Sequence, residues 1–158
     1  MIYGKLIEES NIKSVDLEKL INDGYIYIIF KEEIIDEFNL QAKEGSIGIS
    51  VRNRYLDGRS GKPIEHDPTI KVSITKSGLP ITIGHDPYLH KNSDTASNRR
   101  KIAPYMPAIK KFIFENRKDL VKYWYTDPNT DKGKKQLEKL ERIIKTKYIK
   151  EGNKNDKK

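Results

Sequence analysis

The amino-acid sequence predicts an α+β fold: an antiparallel sheet of three or four strands with helices on one face, closed by an antiparallel pair of C-terminal helices. Three observations lead there. Over residues 46–83 apolar side chains recur at every second position, from residue 107 onward they recur at helical spacing, and Asp127-Pro128 splits that second stretch in two. Leu, Ile, Val and Phe make up 40 of the 158 residues, enough for one domain with a real core. That domain is read as residues 1–150, followed by a loose basic tail over 151–158 that has no apolar side chain.

Residues 1–7 have the composition of a short strand with poor periodicity. A short helix over 15–23 follows, with Ser14 placed to accept from its first free N–H groups, Leu17, Leu20 and Ile21 on one face, and Gly24 to close it. Residues 25–30 are aromatic and β-branched throughout, the pattern of a strand covered on both faces and central in its sheet. Ile34, Ile35, Phe38, Leu40 and Ala42 then repeat with helical spacing up to Gly45. Ile47, Ile49 and Val51 alternate with Gly48, Ser50 and Arg52 as in a half-buried strand, with Arg52, Arg54 and Arg59 projecting from its other side or end. Asp57-Gly58 and Ser60-Gly61 mark a reversal. Ile70, Val72 and Ile74 form the next strand and Leu79, Ile81 and Ile83 the one after a turn near 76–80, which gives a meander that residues 25–30 join as a fourth strand. Residues 84–105 are polar and proline-interrupted, and they read as one long irregular segment of the kind that carries function. A helix over 107–124 follows, and a last helix is defined by Leu137, Leu140, Ile143, Ile144 and Tyr148.

Composition excludes several function classes. Cysteine is absent, so disulfide frameworks, thiolate metal sites and cysteine nucleophiles fall away. The longest apolar run has six residues, far short of a membrane span or a signal-peptide core, so the expected address is the cytoplasm and no membrane partner is expected. Charge is asymmetric: residues 1–50 carry 5 Lys or Arg against 10 Asp or Glu, and residues 51–158 carry 26 against 13. A basic C-terminal two thirds attracts polyanions and gains from counterion release, which puts nucleic acid first among partners, RNA before DNA. An acidic protein partner, bound by a non-enzymatic interaction module, is the alternative, and a small anionic ligand in the long loop comes third.

The tripeptide His-Asp-Pro occurs at 66–68, just before one strand, and at 85–87, just after its neighbour. An antiparallel pair brings such ends together, so His66, His85 and nearby His90 are the candidate catalytic residues. Paired imidazoles titrating near neutral pH can take a ribose 2′-hydroxyl proton and protonate the leaving oxygen, which is metal-independent RNA cleavage. The plainer reading is that each tripeptide simply builds a turn. Metal ligation by the same histidines with Asp67 or Asp86 fits no established spacing, and no metal or cofactor is expected. The stretch over 58–63 lacks the Walker spacing and has Pro63 after its lysine. For phosphate contacts the expected residues are Arg99, Arg100 and Lys101, with Lys110 and Lys111 on the following helix. Tyr105, Tyr123 and Tyr125 are candidates to stack on bases, whereas Phe112 and Trp124 belong to the core.

The strand after His66, the Gly-Leu-Pro turn at 78–80, the pair Arg99-Arg100 and the run over 113–124, through Asp119-Leu120 and Trp124, resemble a small bacterial family suspected to supply toxin components of toxin–antitoxin pairs. The likeness spans residues 66–124. At the family's Asp-His-x-Pro-Pro-His-x-His opening this chain offers only His66-Asp67-Pro68. The resemblance implies a toxin component; together with the charge and the paired imidazoles the expectation is a basic, RNA-directed accessory protein from a bacterium or its mobile elements, a binder before a toxin-like endoribonuclease.

Overall fold

The computed structural model describes residues 15–30, 45–55, 62–63, 67–74, 77–84 and 87–149. The expected helix at 34–44, the strand at 1–7, Arg59 and the tail at 151–158 lie outside them.

Helix α1 (Leu17–Asn22) is capped by Asp16, whose carboxylate accepts from the Lys19 amide at 3.0 Å, so the cap falls two residues after Ser14. Gly24, at φ 83°, turns the chain out of the helix in the left-handed region that glycine tolerates. Strands β1 (Ile26–Ile29), β2 (Ile47–Ser50), β3 (Thr69–Ile74) and β4 (Ser77–Thr82) then form one sheet in the order β1-β2-β3-β4. The meander β2-β3-β4 is antiparallel as expected, with Ile49 opposite Val72 and Ile70 opposite Ile81.

The expectation of an all-antiparallel sheet is corrected at β1, which pairs with β2 in parallel, Ile26 opposite Ile47 and Ile28 opposite Ile49. Among the described residues β1 is also the edge strand, not a central one. An apolar run reports that both faces of a strand are covered; it carries no information about which strands bond to its edges or in which direction. Strand β2 is likewise buried at all four positions where one covered face was expected.

One sheet face is almost wholly aliphatic. Ile26, Ile47, Ile49, Ile70, Val72, Leu79 and Ile81 point to it and share a core with Ile109, Phe112, Ile113, Leu120, Leu140 and Ile144 from the two long helices. The other face carries buried Ser50, Thr69, Ser73 and Thr82.

The segment 84–105 is more regular than its composition implies. A 3-10 turn (Lys91–Ser93) leads into helix α2 (Ala96–Ile102), and a second 3-10 turn (Ala103–Tyr105) leads out of it. Thr95 supplies the cap, its hydroxyl accepting from the Asn98 amide at 3.1 Å. Helix α2 escapes a periodicity search because only Ile102 of its seven residues is buried, so it has no apolar stripe.

Helix α3 (Met106–Tyr125) matches the expected span to within a residue at each end, with Pro107 in its first turn. Helix α4 (Asp131–Tyr148) returns antiparallel to it. The Tyr148 hydroxyl donates to Glu115 Oε1 at 2.6 Å and accepts from Asn116 Nδ2 at 2.9 Å, while the Lys147 ammonium donates to Asn116 Oδ1 at 3.0 Å. Burial and the neighbouring Glu115 carboxylate hold the Tyr148 phenol in its protonated form well above the ordinary tyrosine range. Asn22 links this end to α1, its Nδ2 donating to the Tyr148 carbonyl at 2.7 Å. Among the described residues no helix is long and apolar enough to cross a membrane.

The turn between α3 and α4 is closed by Thr130, whose hydroxyl accepts from the Gly133 amide at 3.0 Å and donates to the Asp127 carbonyl at 2.7 Å. Gly133 presses against that turn: a Cβ there would lie 2.6 Å from the Asp127 carbonyl carbon and 2.7 Å from Pro128 Cα. Both neighbours are backbone atoms and cannot rotate aside. Gly133→Ala is therefore expected to destabilise the protein by about 3 kcal/mol despite alanine's better helix propensity, measurable by urea unfolding; unchanged stability would show that the turn is loose.

Candidate nucleic-acid interface

The end of β2 runs into Val51-Arg52-Asn53-Arg54-Tyr55, and Asn53 fixes where this segment goes. The last carbonyls of a helix have no intrahelical donors. Asn53, 1 % exposed, supplies them: its Nδ2 donates to the carbonyls of Tyr123 and Thr126, both at 2.7 Å, and its Oδ1 accepts from the Tyr55 amide at 2.8 Å. The Arg54 amide adds a fourth bond, donating to the Trp124 carbonyl at 3.1 Å. Side chain and backbone together close the C-terminus of α3 from a different element.

This junction brings three side chains together. The Arg54 guanidinium carbon lies 5.7 Å from the centre of the Tyr55 ring and 5.5 Å from that of Tyr125, within cation–π range of both. Both rings are exposed, Tyr55 at 40 % and Tyr125 at 49 %. Arg54 Nε is buried and has no hydrogen-bond partner, and no carboxylate pairs with the guanidinium among the described residues. Beside two aromatic faces and with no carboxylate on it among the described residues, the guanidinium keeps its Nη groups, not the buried Nε, for another acceptor. Beside it, Arg52 Nη1 donates to Thr69 Oγ1 at 3.1 Å, crossing from the end of β2 to β3.

Helix α3 extends the surface. Its buried side carries Ile109, Phe112, Asn116, Leu120 and Tyr123, so helical geometry puts Phe114, Lys118, Lys122 and Tyr125 on the side away from the core, and all four are exposed. Phe114 is held by Arg117, whose guanidinium lies 5.2 Å from the ring centre while its Nε donates to the Ile83 carbonyl at 2.7 Å. Rings at 114 and 125 thus flank two lysines.

The residues expected to contact phosphate are divided. Arg99, Arg100 and Lys101 are exposed in the last turn of α2, where the carbonyl end of the helix favours cations whatever their further use. Arg99 is paired with Asp94 at 2.6 Å, a contact open to solvent and weak for that reason. Arg100 and Lys101 have no ion pair among the described residues. Lys110 is half-buried, and the Lys111 ammonium donates to the Val15 carbonyl, so Lys111 ties α3 to the start of α1. Of the stacking candidates, Tyr105 and Tyr123 are buried, burial raises the Tyr105 pKa, and only Tyr125 is open. Helix α3, about 30 Å long by its residue count, separates the basic turn of α2 from the Arg54 cluster.

His66 and His85 lie outside the described residues. The strands beside them are paired, since the Ile83 amide donates to the Pro68 carbonyl at 3.1 Å. His90 is half-buried and its amide donates to the Pro80 carbonyl at 2.9 Å, three residues, or about 10 Å, along β4 from Ile83. Among the described residues no three His, Asp or Glu side chains are grouped to hold a metal ion.

Arg54 and Tyr55 are not recognisable from the sequence as partners of Tyr125. Their positions are 70 residues apart, and the only sequence signal is an asparagine between two arginines at a strand end. No protein-family model, curated protein or solved structure matches the chain.

Replacing Asn53 by Ala takes their partner from the Thr126 carbonyl and the Tyr55 amide, and removes one of two donors from the Tyr123 carbonyl, which the Thr126 amide still reaches at 3.2 Å. The expected cost is about 3 kcal/mol, a fall in Tm of roughly 10 °C by circular dichroism. Asn53→Asp, which can accept but not donate, is expected to be at least as damaging; a Tm within 2 °C of the parent in either variant would contradict the role given to this amide, since about 2 °C or more is the shift expected from 1 kcal/mol.

Proposed function

We propose that this protein binds nucleic acid, RNA before duplex DNA, through the outward face of α3 and the basic turn of α2. The observation that carries the reading is a set of cations with no carboxylate partner among the described residues: exposed Arg100 and Lys101 on α2, exposed Lys118 and Lys122 on α3, and half-buried Arg54 at the junction. Solvated lysines alone are common on helix faces. Here they alternate with the exposed rings of Phe114 and Tyr125, and that interleaving is what unpaired bases and their phosphates need. RNA is favoured because it presents unpaired bases in loops and ends, whereas duplex DNA buries them in the stack. The cleavage reading depends on His66 and His85 and is not included in this proposal.

Binding of this kind releases counterions, so affinity for a labelled 20-nucleotide RNA should fall steeply between 50 and 200 mM KCl, probes set within the range where such slopes are read. Replacing Arg100, Lys101, Lys118 and Lys122 together by Ala should flatten the plot of log affinity against log salt by about 3. No binding, or binding indifferent to salt, would overturn the proposal. A complex recovered with an acidic protein that survives nuclease, in place of RNA affinity, would establish the protein-docking alternative instead.

A further inference from the structure

The nucleic-acid reading is supported by charge along two helices, and charge does not distinguish a duplex from a single strand. The junction at the end of α3 does. Resting on that reading, we propose that Tyr55, Arg54 and Tyr125 form a stacking platform for successive unpaired bases of single-stranded RNA, with the Arg54 guanidinium donating to the phosphate between them.

Three features support the platform. First, both tyrosine rings are half open to solvent at the Asn53 junction, Tyr55 through its amide bond to Asn53 Oδ1 and Tyr125 as the last residue of α3, two positions after the Tyr123 carbonyl that takes the Asn53 amide. Second, one guanidinium lies within 6 Å of both ring centres, so the rings cannot be further apart than the sum of 5.7 and 5.5 Å. The rings are therefore at most about three steps of the ~3.4 Å rise of a stacked strand apart, close enough for one short single strand to meet both. Third, Arg54 makes no ion pair among the described residues, and although its Nε is buried its two Nη groups are left to donate to a phosphate.

The platform also has a continuation. Tyr125 shares its helix face with Lys122, Lys118 and Phe114, a row of about 16 Å by the helical rise. A strand that stacks at the junction can lay its backbone along the two lysines and reach a further ring at Phe114. A duplex cannot use the rings, since its bases are already stacked on one another and its sugar–phosphate edges meet only the cations.

The experiment is fluorescence anisotropy on the full chain with a fluorescein-labelled 12-nucleotide oligouridine, and with the same strand annealed to its complement, at about 0.1 M KCl. The single strand is expected to bind at least tenfold more tightly than the duplex. Tyr55→Ala and Tyr125→Ala should each weaken single-strand binding about tenfold, while Tyr55→Phe and Tyr125→Phe stay within about threefold of the parent, since stacking needs the ring and not the hydroxyl. None of the four should change duplex affinity or the salt slope, and because both side chains are exposed the variants should keep the parent's Tm. Equal affinity for the two forms, or alanine variants that leave the single-strand Kd unchanged, would overturn the platform, with a surviving salt slope leaving the electrostatic reading intact. Absence of affinity for either form would overturn both.

Discussion

A single buried amide, that of Asn53, joins the end of strand β2 to the end of helix α3, and the outward surface of the molecule is arranged around that joint. Its two donors bond to the Thr126 carbonyl and to the Tyr123 carbonyl, which the Thr126 amide also reaches, and its acceptor holds the Tyr55 amide. The Asn53 side chain is buried, with one of its bonds fully and two partly buried, where leaving a partner unmade is costly, so the amide ties the strand end to the helix end. Arg54 and Tyr55 are carried to Tyr125 as a consequence.

Around this joint the fold separates two kinds of cation. Some are structural: the Lys111 ammonium donates to the Val15 carbonyl, Lys147 bonds to Asn116, and Arg117 reaches the Ile83 carbonyl beyond the end of β4. Others have no carboxylate partner among the described residues, namely exposed Arg100, Lys101, Lys118 and Lys122 and half-buried Arg54. The second group gives the surface its chemistry, since an unpaired cation beside an exposed ring offers a phosphate and a base what each requires. The aliphatic sheet face and the glycine-dependent hairpin of α3 and α4 serve this surface indirectly, by fixing which side of α3 looks away from the core.

Much of the fold is legible in the sequence wherever a regular element has a covered face. Ile47, Ile49, Ile70, Val72, Ile81 and the heptad-like spacing of Ile109, Phe112, Ile113 and Leu120 announce the meander and the long helix because burial imposes the period of the backbone on them. Helix α2 was illegible for the converse reason: it stands out from the core, has one buried residue, and is started by the Thr95 cap. The parallel pairing of β1 is a long-range choice that no local pattern encodes. For the candidate surface, the lysines of α3 and Tyr125 could be read from helical spacing, but their union with Arg54 and Tyr55 depends on Asn53 bonding to residues 70 and 73 positions away. The arginine pair at 99 and 100, conspicuous in the sequence, lies at the opposite end of α3 and has one member occupied by Asp94.

The most direct test of this account is the single-stranded RNA affinity of Asn53→Ala, measured well below its Tm, where the variant is folded. If the amide positions the rings, affinity should fall to that of the Tyr55→Ala/Tyr125→Ala double variant while the salt slope stays that of the parent. Parental affinity in a folded Asn53→Ala protein would contradict the account.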